Sequence, residues 1–292
     1  MPAATDTAIV PGVSPQVYDQ RDFERISQMI RREAGIVLGN NKRMLAYSRI
    51  APLVRRSGRQ TFKEYLDLIE NDGAEQTRAI ASLTTNHTYF NREPHHFEHF
   101  TKNVRPGLIA QAQRGETVRI WSAGCSSGEE IYTLLMVLLG EDRNEGRQLS
   151  KRKIVALASD LAEHAVRAAA DAVYPAEALS KLPPVLRENW SVAVADTEAT
   201  SLGISPDIKQ MVRFRQLNLL RPWPFGSLFD LIFCRNVMIY FDGPTKEQLV
   251  LNFARQLKPG AHLYIGHSER VSGPATELLE PVGTTIYRRK AA

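Results

Sequence analysis

Apolar positions fall into two regimes along the 292 residues. From about Tyr18 to Leu83 they recur at helical spacing. Phe23, Ile26 and Ile30 share one face, and Gly35 offers a stop. Thr61 with Glu64 forms a capping-box pattern, after which Phe62, Leu66 and Ile69 line one side. Pro52 interrupts the second helical segment and predicts a kink or two pieces, while Ile80 and Leu83 belong to a fourth helix. The pattern predicts a small all-helical domain over 1–84, led by a disordered tail over 1–15.

From about 85 to 292 the rhythm changes to short β-rich runs alternating with helices. Strands are predicted at Thr117–Trp121, Ile154–Ala158, Phe229–Cys234 and His262–Ile265, with Thr284–Tyr287 as a last strand. Helices are predicted from near Glu129, over Glu163–Ala172, and over about Thr245–Leu257. Continuous apolar strands alternating with helices predict an α/β fold with a parallel sheet covered on both faces. Ligands of such sheets sit beyond the carboxyl ends of the strands. The stretch 176–212 breaks the alternation with Pro183-Pro184, the run Trp190–Val194 and a polar loop through Ser205-Pro206; it reads as a small β insertion.

Composition narrows the class. Apolar residues make up 43% and charged residues 24%, which fits a folded globular chain. The longest apolar run, Ile131–Leu139, is far shorter than the ~20 residues a membrane span needs. No secretory signal is visible at the amino terminus. Two cysteines, Cys125 and Cys234, make neither a disulfide framework nor a zinc site, and both read as small packing residues. A cytoplasmic protein is expected. The net charge of +5 suits an acidic partner, whether nucleic acid or protein. His95, His96 and His99 follow Pro94, a good first helical residue. His95 and His99 are spaced to share a metal, but no third ligand is evident, so exposed helix histidines and no metal are expected.

The first strand of the second regime runs into Trp121-Ser-Ala-Gly-Cys-Ser-Ser-Gly-Glu-Glu130. Gly124 and Gly128 permit a tight turn and close approach to a ligand. The spacing is not the three-glycine dinucleotide fingerprint, and two carboxylates directly after the loop oppose a pyrophosphate. A cationic, hydroxyl-rich ligand such as a sulfonium nucleoside suits them better; a plain strand-turn-helix corner is the alternative. Asp160, directly after the second strand, is placed either to accept ribose hydroxyls or to cap the following helix.

Together with this loop, three segments resemble one family, the CheR-type chemotaxis receptor methyltransferases. They are Thr85-Asn-His-Thr-Tyr-Phe-Asn-Arg-Glu93, Phe229-Asp-Leu-Ile-Phe-Cys-Arg-Asn-Val-Met-Ile-Tyr-Phe-Asp242 and Leu257-Lys-Pro-Gly-Ala-His-Leu-Tyr-Ile-Gly-His-Ser-Glu269. The resemblance covers nearly the whole chain, and the run Cys234–Asp242 is its most specific part. It implies a Rossmann-like S-adenosylmethionine methyltransferase domain with a seven-stranded sheet and a small β insertion, plus a helical receptor-binding domain. It also implies an S-adenosylmethionine-dependent protein-glutamate O-methyltransferase, with S-adenosylhomocysteine as product. The implied cofactor contacts are Asn86, Thr88, Arg92, Glu129, Asp160, Asn218, Leu219, Arg235 and Asn236, with Gly124 in the loop; Arg92 and Tyr240 would lie nearest the transferred methyl. Family members that bind a receptor peptide tether share a glycine-rich loop in the insertion. Here Ser191–Gln210 holds a single glycine, Gly203, so that feature is not carried over.

The implied partner is the cytoplasmic helical bundle of a methyl-accepting chemotaxis receptor, met by a monomer without nucleic acid or membrane insertion. Lys42, Arg49 and Arg56 fall seven apart in the helical domain, and Arg55 and Arg59 add charge nearby. Such a run is ordinarily a solvated face; the resemblance makes it the docking surface for acidic receptor helices. Four rival readings are a nucleic-acid methyltransferase, a small-molecule methyltransferase, a nicotinamide dehydrogenase and a non-enzymatic cofactor-binding adaptor. The first is opposed by Arg235-Asn-Val-Met-Ile-Tyr240, which lacks the prolines usual after the Asn of amino-methylating enzymes.

Overall fold

A computed structural model describes residues 12–84, 86–194 and 201–291. The first eleven residues of the expected tail, Thr85 at the expected start of the second domain, and 195–200 of the insertion lie outside the described residues. The chain divides into two units, Met1–Thr85 with Tyr240–Asp242, and Asn86–Ile239 with Gly243–Ala292.

Four helices build the first unit: α1 (Gln20–Ala34), α2 (Arg43–Arg56), α3 (Phe62–Ile69) and α4 (Gly73–Leu83). Asp19 caps α1 in a reciprocal box with Asp22, and Gly35 ends it at φ 69°, a conformation cheap for glycine. The Thr61/Glu64 box starts α3 as the sequence predicts. Phe23, Ile26, Ile30, Phe62, Leu66 and Ile69 are all buried. Pro52 sits inside one continuous α2 and does not split it.

The second unit opens with α5 (Pro94–His99), a π-helical turn (Phe100–Val104) and α6 (Arg105–Gln113). The strands and helices that follow are β1 (Val118–Ala123), α7 (Glu129–Leu139), α8 (Arg143–Ser150), β2 (Ile154–Asp160) and α9 (Glu163–Asp171). The insertion comprises β3 (Val173–Pro175), α10 (Pro184–Trp190), β4 (Ser191–Ala193), β5 (Ser201–Ile204) and α11 (Pro206–Lys209). Last come β6 (Val212–Gln216), β7 (Phe229–Cys234), α12 (Gly243–Gln256), β8 (Leu257–Ile265), α13 (Ala275–Leu278), β9 (Leu279–Gly283) and β10 (Ile286–Arg289).

The main sheet has seven strands in the order β6-β2-β1-β7-β8-β10-β9, and β3-β5-β4 form a separate three-stranded sheet. Pairing is parallel from β6 through β8 and antiparallel for β10 and β9. The sequence predicts a parallel sheet; the hairpin at one edge is the departure, turned by Thr285 at φ 57°. No residue of β7 is exposed, which is why it reads as an unbroken apolar run. Trp121 is fully buried, donates its indole N–H to Ser159 Oγ (2.9 Å) and meets the rings of Trp223, Phe225, Phe229 and Phe253. Strand order reverses at β1, whose neighbours are β2 on one side and β7 on the other. A crevice at the carboxyl ends of these three strands is the expected ligand site.

Candidate functional site

The loop from β1 to α7 is shaped by its glycines and by the end of β2. Gly124 has φ 81°, and a Cβ there would lie 2.3 Å from Val237 Cγ2, so backbone and side chain both demand glycine. The N–H groups of Gly124 and Cys125 donate to the Ser159 carbonyl (2.8 and 2.9 Å), tying the loop to β2. Ser126 N donates to Asp160 Oδ2 and Ala162 N to Asp160 Oδ1, both at 2.9 Å. Asp160 thus holds the entry to α9 two residues on, combining a local turn with its place at the sheet's mouth. Burial pushes its carboxyl above the ordinary range, opposed by those backbone N–H bonds.

Glu129 is the first residue of α7, where the helix dipole favours negative charge. Its carboxylate is buried and accepts from Ser127 Oγ (2.8 Å to Oε2); burial raises its pKa. The Ser126 hydroxyl donates to the Asn86 carbonyl (3.0 Å), drawing the 86–93 segment onto the loop. The Asn86 side-chain nitrogen is buried without a hydrogen-bond partner among the described residues. Leu217 N donates to the Asp160 carbonyl (2.9 Å), which sets Asn218 and the buried Leu219 beside the β2 end. Asn86, Gly124, Glu129, Asp160, Asn218 and Leu219 therefore belong to one connected rim, and Thr88 sits half-buried in the adjoining segment.

The other side of the crevice is tightly bonded. Arg235, directly after β7, is buried. Its guanidinium pairs with Glu93 Oε2 (3.1 Å) and Glu130 Oε2 (3.3 Å), and donates to the Arg92 carbonyl. Asn236, at φ 60°, donates its side-chain N–H to Glu93 Oε1 (3.3 Å). Burial would raise the Glu93 carboxyl, yet Arg235, His267 and Asn236 together hold it at about 2. Behind them, buried Glu269 accepts from the backbone N–H of Gly266 (2.6 Å), Met238 (2.8 Å) and Asn236 (3.2 Å).

Arg92 itself donates to the His87 carbonyl (2.9 Å) and lies over the Tyr89 ring, 5.7 Å from its centroid. Glu93, the residue next to Arg92, pairs with Arg235. Tyr240 falls in the helical unit, where Val37 N donates to its carbonyl (2.9 Å). In that unit Lys42 precedes α2 in a short 3-10 turn, and Arg49 donates to the carbonyls of Ser82 (3.2 Å) and Thr84. Arg56 reaches Glu75 at 3.5 Å, and Arg55 and Arg59 are exposed. The seven-residue stripe is accordingly not one uniform solvent face.

One expectation is overturned. The three histidines of α5 are not all exposed: His96 is fully buried, its Nε2 2.9 Å from Thr285 Oγ1 and its ring edge-on to Tyr264. Burial and the nearby Arg235 charge drive its pKa down to about 3, so it is neutral. His99 is half-buried, with Nδ1 2.8 Å from the Tyr264 hydroxyl, and His95 is exposed. Pro94 does open the helix as predicted. Both cysteines are buried, as packing residues. Sequence reasoning assigned no role to Glu93, Glu130 or Glu269, although each lies inside a segment singled out for its resemblance.

Residues 86–288 match the family model described as "CheR methyltransferase, SAM binding domain", and residues 21–84 match "CheR methyltransferase, all-alpha domain". The "Probable chemotaxis protein methyltransferase" of Rhizobium etli is 40% identical over 262 residues, 89% of this chain and 96% of that one. "Chemotaxis protein methyltransferase 2" of Pseudomonas aeruginosa is 34% identical over 288 residues, 98% of this chain and 99% of its own length. The "Chemotaxis protein methyltransferase" of Escherichia coli is 36% identical, covering 86% of this chain and 84% of that one. With an α/β sheet whose strand order reverses beside a glycine loop and two buried carboxylates, and with both domains matched, the chain belongs to the CheR methyltransferase family and takes S-adenosylmethionine as its cofactor.

Proposed function

We propose that the chain methylates glutamate side-chain carboxylates on the cytoplasmic helices of chemotaxis receptors, giving glutamyl methyl esters. The observation that carries this reading is the pairing of the family's all-alpha and S-adenosylmethionine-binding domains in one chain, with relatives named chemotaxis methyltransferases matched along nearly their whole length.

The site's own chemistry supports the cofactor contacts. The orphan Asn86 Nδ2 has a donor to spare, and Glu129 and Asp160 are acceptors suited to hydroxyls and a nearby cation. Leu219 offers an apolar surface to a base ring, and Gly124 keeps the backbone close. When bound, S-adenosylmethionine supplies a methyl group on a sulfonium, which a carboxylate oxygen can accept directly. A glutamate acceptor, with an unperturbed pKa near ~4.3, is already ionised at neutral pH, so no general base is required. Arg92, whose planar fork suits a carboxylate, holds the acceptor in line; Tyr240 is the second candidate, through its hydroxyl. Because both charges vanish on transfer, the residues act through alignment and water exclusion rather than by gripping charge, an effect worth roughly 7 kcal/mol for a well-oriented pair. Arg235 and Asn236 back the same rim from the end of β7.

The helical unit supplies the docking surface, through Lys42, Arg55, Arg56 and Arg59, with Arg49 fastening α2 to the end of α4. Reversing Arg55 and Arg59 to glutamate raises the receptor KM about 3- to 10-fold at low salt, and the difference shrinks as salt screens it. An unchanged KM at low salt removes this surface from the reading. The decisive experiment incubates the protein with methyl-labelled S-adenosylmethionine and receptor cytoplasmic fragments. Label released by mild base as methanol is expected; base-stable label, or none on the receptor, defeats the proposal.

A further inference from the structure

A single carboxylate joins the three chain segments that frame the reacting edge. Glu93 Oε2 takes the Arg235 guanidinium, while Oε1 accepts from Asn236 Nδ2 (3.3 Å), His267 N (3.2 Å) and His267 Nδ1 (2.9 Å). Its side chain is 11% exposed, while that of His267 is 67% exposed, so the network runs from the interior to the rim. The same Arg235 donates to the carbonyl of Arg92, the residue before Glu93. Backbone geometry concentrates here too: Asn91 and Glu93, on either side of Arg92, both have φ 57°, and Asn236 has φ 60°. Asparagine tolerates this region, but a glutamate adopts it only where surrounding bonds over-determine the conformation. Asn91 is fixed from the other side, its N–H donating to Thr133 Oγ1 (3.1 Å).

We infer that Glu93 is a positioning residue for the methyl-transfer reaction, holding the backbone of Arg92 against Arg235 so that the Arg92 guanidinium is delivered to the acceptor. The inference rests on the proposed function, since it acts through Arg92 on an acceptor carboxylate. As a positioning residue, Glu93 touches neither acceptor nor cofactor. Its carboxylate is fully ionised at neutral pH, held at about 2 against the effect of burial by the partners it gathers. A glutamine has the same shape but offers one carbonyl oxygen and a donor where two acceptors are needed. The amide N–H₂ would face Arg235 or His267, and the Arg92 carbonyl loses its fixed donor.

The test compares Glu93→Gln and Glu93→Asp with the wild type. Wild-type transfer to receptor fragments is measured first; if it is absent, the functional reading fails and Glu93 is not at issue. Given transfer, Glu93→Gln lowers kcat about 10- to 100-fold, the cost of a roughly 1 Å misplacement, while the cofactor Kd by calorimetry and the acceptor KM stay within about 3-fold. Amide hydrogen exchange in the 86–93 segment speeds up, and exchange in β1 does not. Glu93→Asp, which keeps the charge, retains more activity than Glu93→Gln. A Glu93→Gln enzyme with wild-type kcat, or one whose losses in kcat and cofactor affinity match the fraction unfolded, overturns the inference. Should Glu93→Gln fail to fold, His267→Ala, which removes one exposed donor to the same carboxylate, is expected to lower kcat about 2- to 5-fold; an unchanged kcat then counts against it.

Discussion

Two groups of carboxylates stand at the carboxyl edge of the same sheet and differ in the donors they gather. At the ends of β1 and β2, Glu129 and Asp160 receive a serine hydroxyl and backbone N–H groups, and burial raises both. Beyond β7 and β8, Glu93 and Glu269 each gather several donors at once, from a guanidinium, an imidazole, an amide and four backbone N–H groups; burial raises Glu269 as well, and only Glu93 is held low. The first pair keeps lone pairs in reserve, which is what a hydroxyl-bearing ligand needs. The second pair is saturated, which is what a frame needs. Residue type does not tell a carboxylate with acceptor capacity to spare from a framing one; the inventory of its donors does.

Breaking the frame has the largest expected effect. Glu269→Ala leaves the buried N–H groups of Gly266, Met238 and Asn236 without their acceptor. Each unsatisfied buried donor costs about 1–3 kcal/mol, so a loss of about 3 kcal/mol or more in urea unfolding is expected. A loss below about 1 kcal/mol shows that water replaces the carboxylate and that the second group does not act as a frame.

Arg92 is tied to the frame at one end only: its carbonyl is held by Arg235, and its guanidinium leans on His87 and Tyr89. Arg92→Ala lowers kcat about 100-fold, about 2.7 kcal/mol in the barrier, and weakens cofactor binding less than 10-fold. Single-turnover transfer at saturating cofactor measures the first number and calorimetry the second. Equal losses in both would move Arg92 from the reacting edge to the cofactor rim.

Much of this arrangement is legible in sequence wherever one segment carries the whole signal. The apolar runs Ile154–Ala158 and Phe229–Cys234, the start of α7 at Glu129, and the Thr61/Glu64 box all emerge where local pattern puts them. Two strands of the main sheet have no such signal. The flanking charges of β6, Val-Arg-Phe-Arg-Gln, protect an edge, and β9 contains Pro281, a residue that an edge strand tolerates. The candidate rim was reached through Gly124, Glu129 and Asp160, which stand directly at strand ends. Glu93 was not, because its partners Arg235 and His267 lie 142 and 174 positions away and no local spacing relates them. The burial of His96 is hidden for the same reason: the Tyr264 ring and Thr285 that enclose it come from β8 and the β9–β10 turn, far away in sequence.

That buried imidazole gives the smallest and most specific test of the framed side. His96 is neutral with a folded pKa near 3, against an ordinary 6.5. Between those values the unfolded chain binds more protons, so stability rises with pH; the contribution is lost as pH falls below 6.5 toward 3. Glu93, at about 2 against 4.5, has the same sign but acts below about pH 4.5. A comparison confined to pH 7 through 5 therefore excludes it. His262, lowered to about 4 by burial, His99 and Arg288, titrates in this window as well and remains in both proteins compared. Over that interval the wild type is expected to lose up to about 2 kcal/mol more urea stability than His96→Gln, whose amide can still donate to Thr285 but takes up no proton. Parallel curves for the two proteins would mean that His96 is protonated in the native state. The Arg235 network would then tolerate a second cation beside it, and the contrast between a saturated frame and a receptive rim would lose its electrostatic basis.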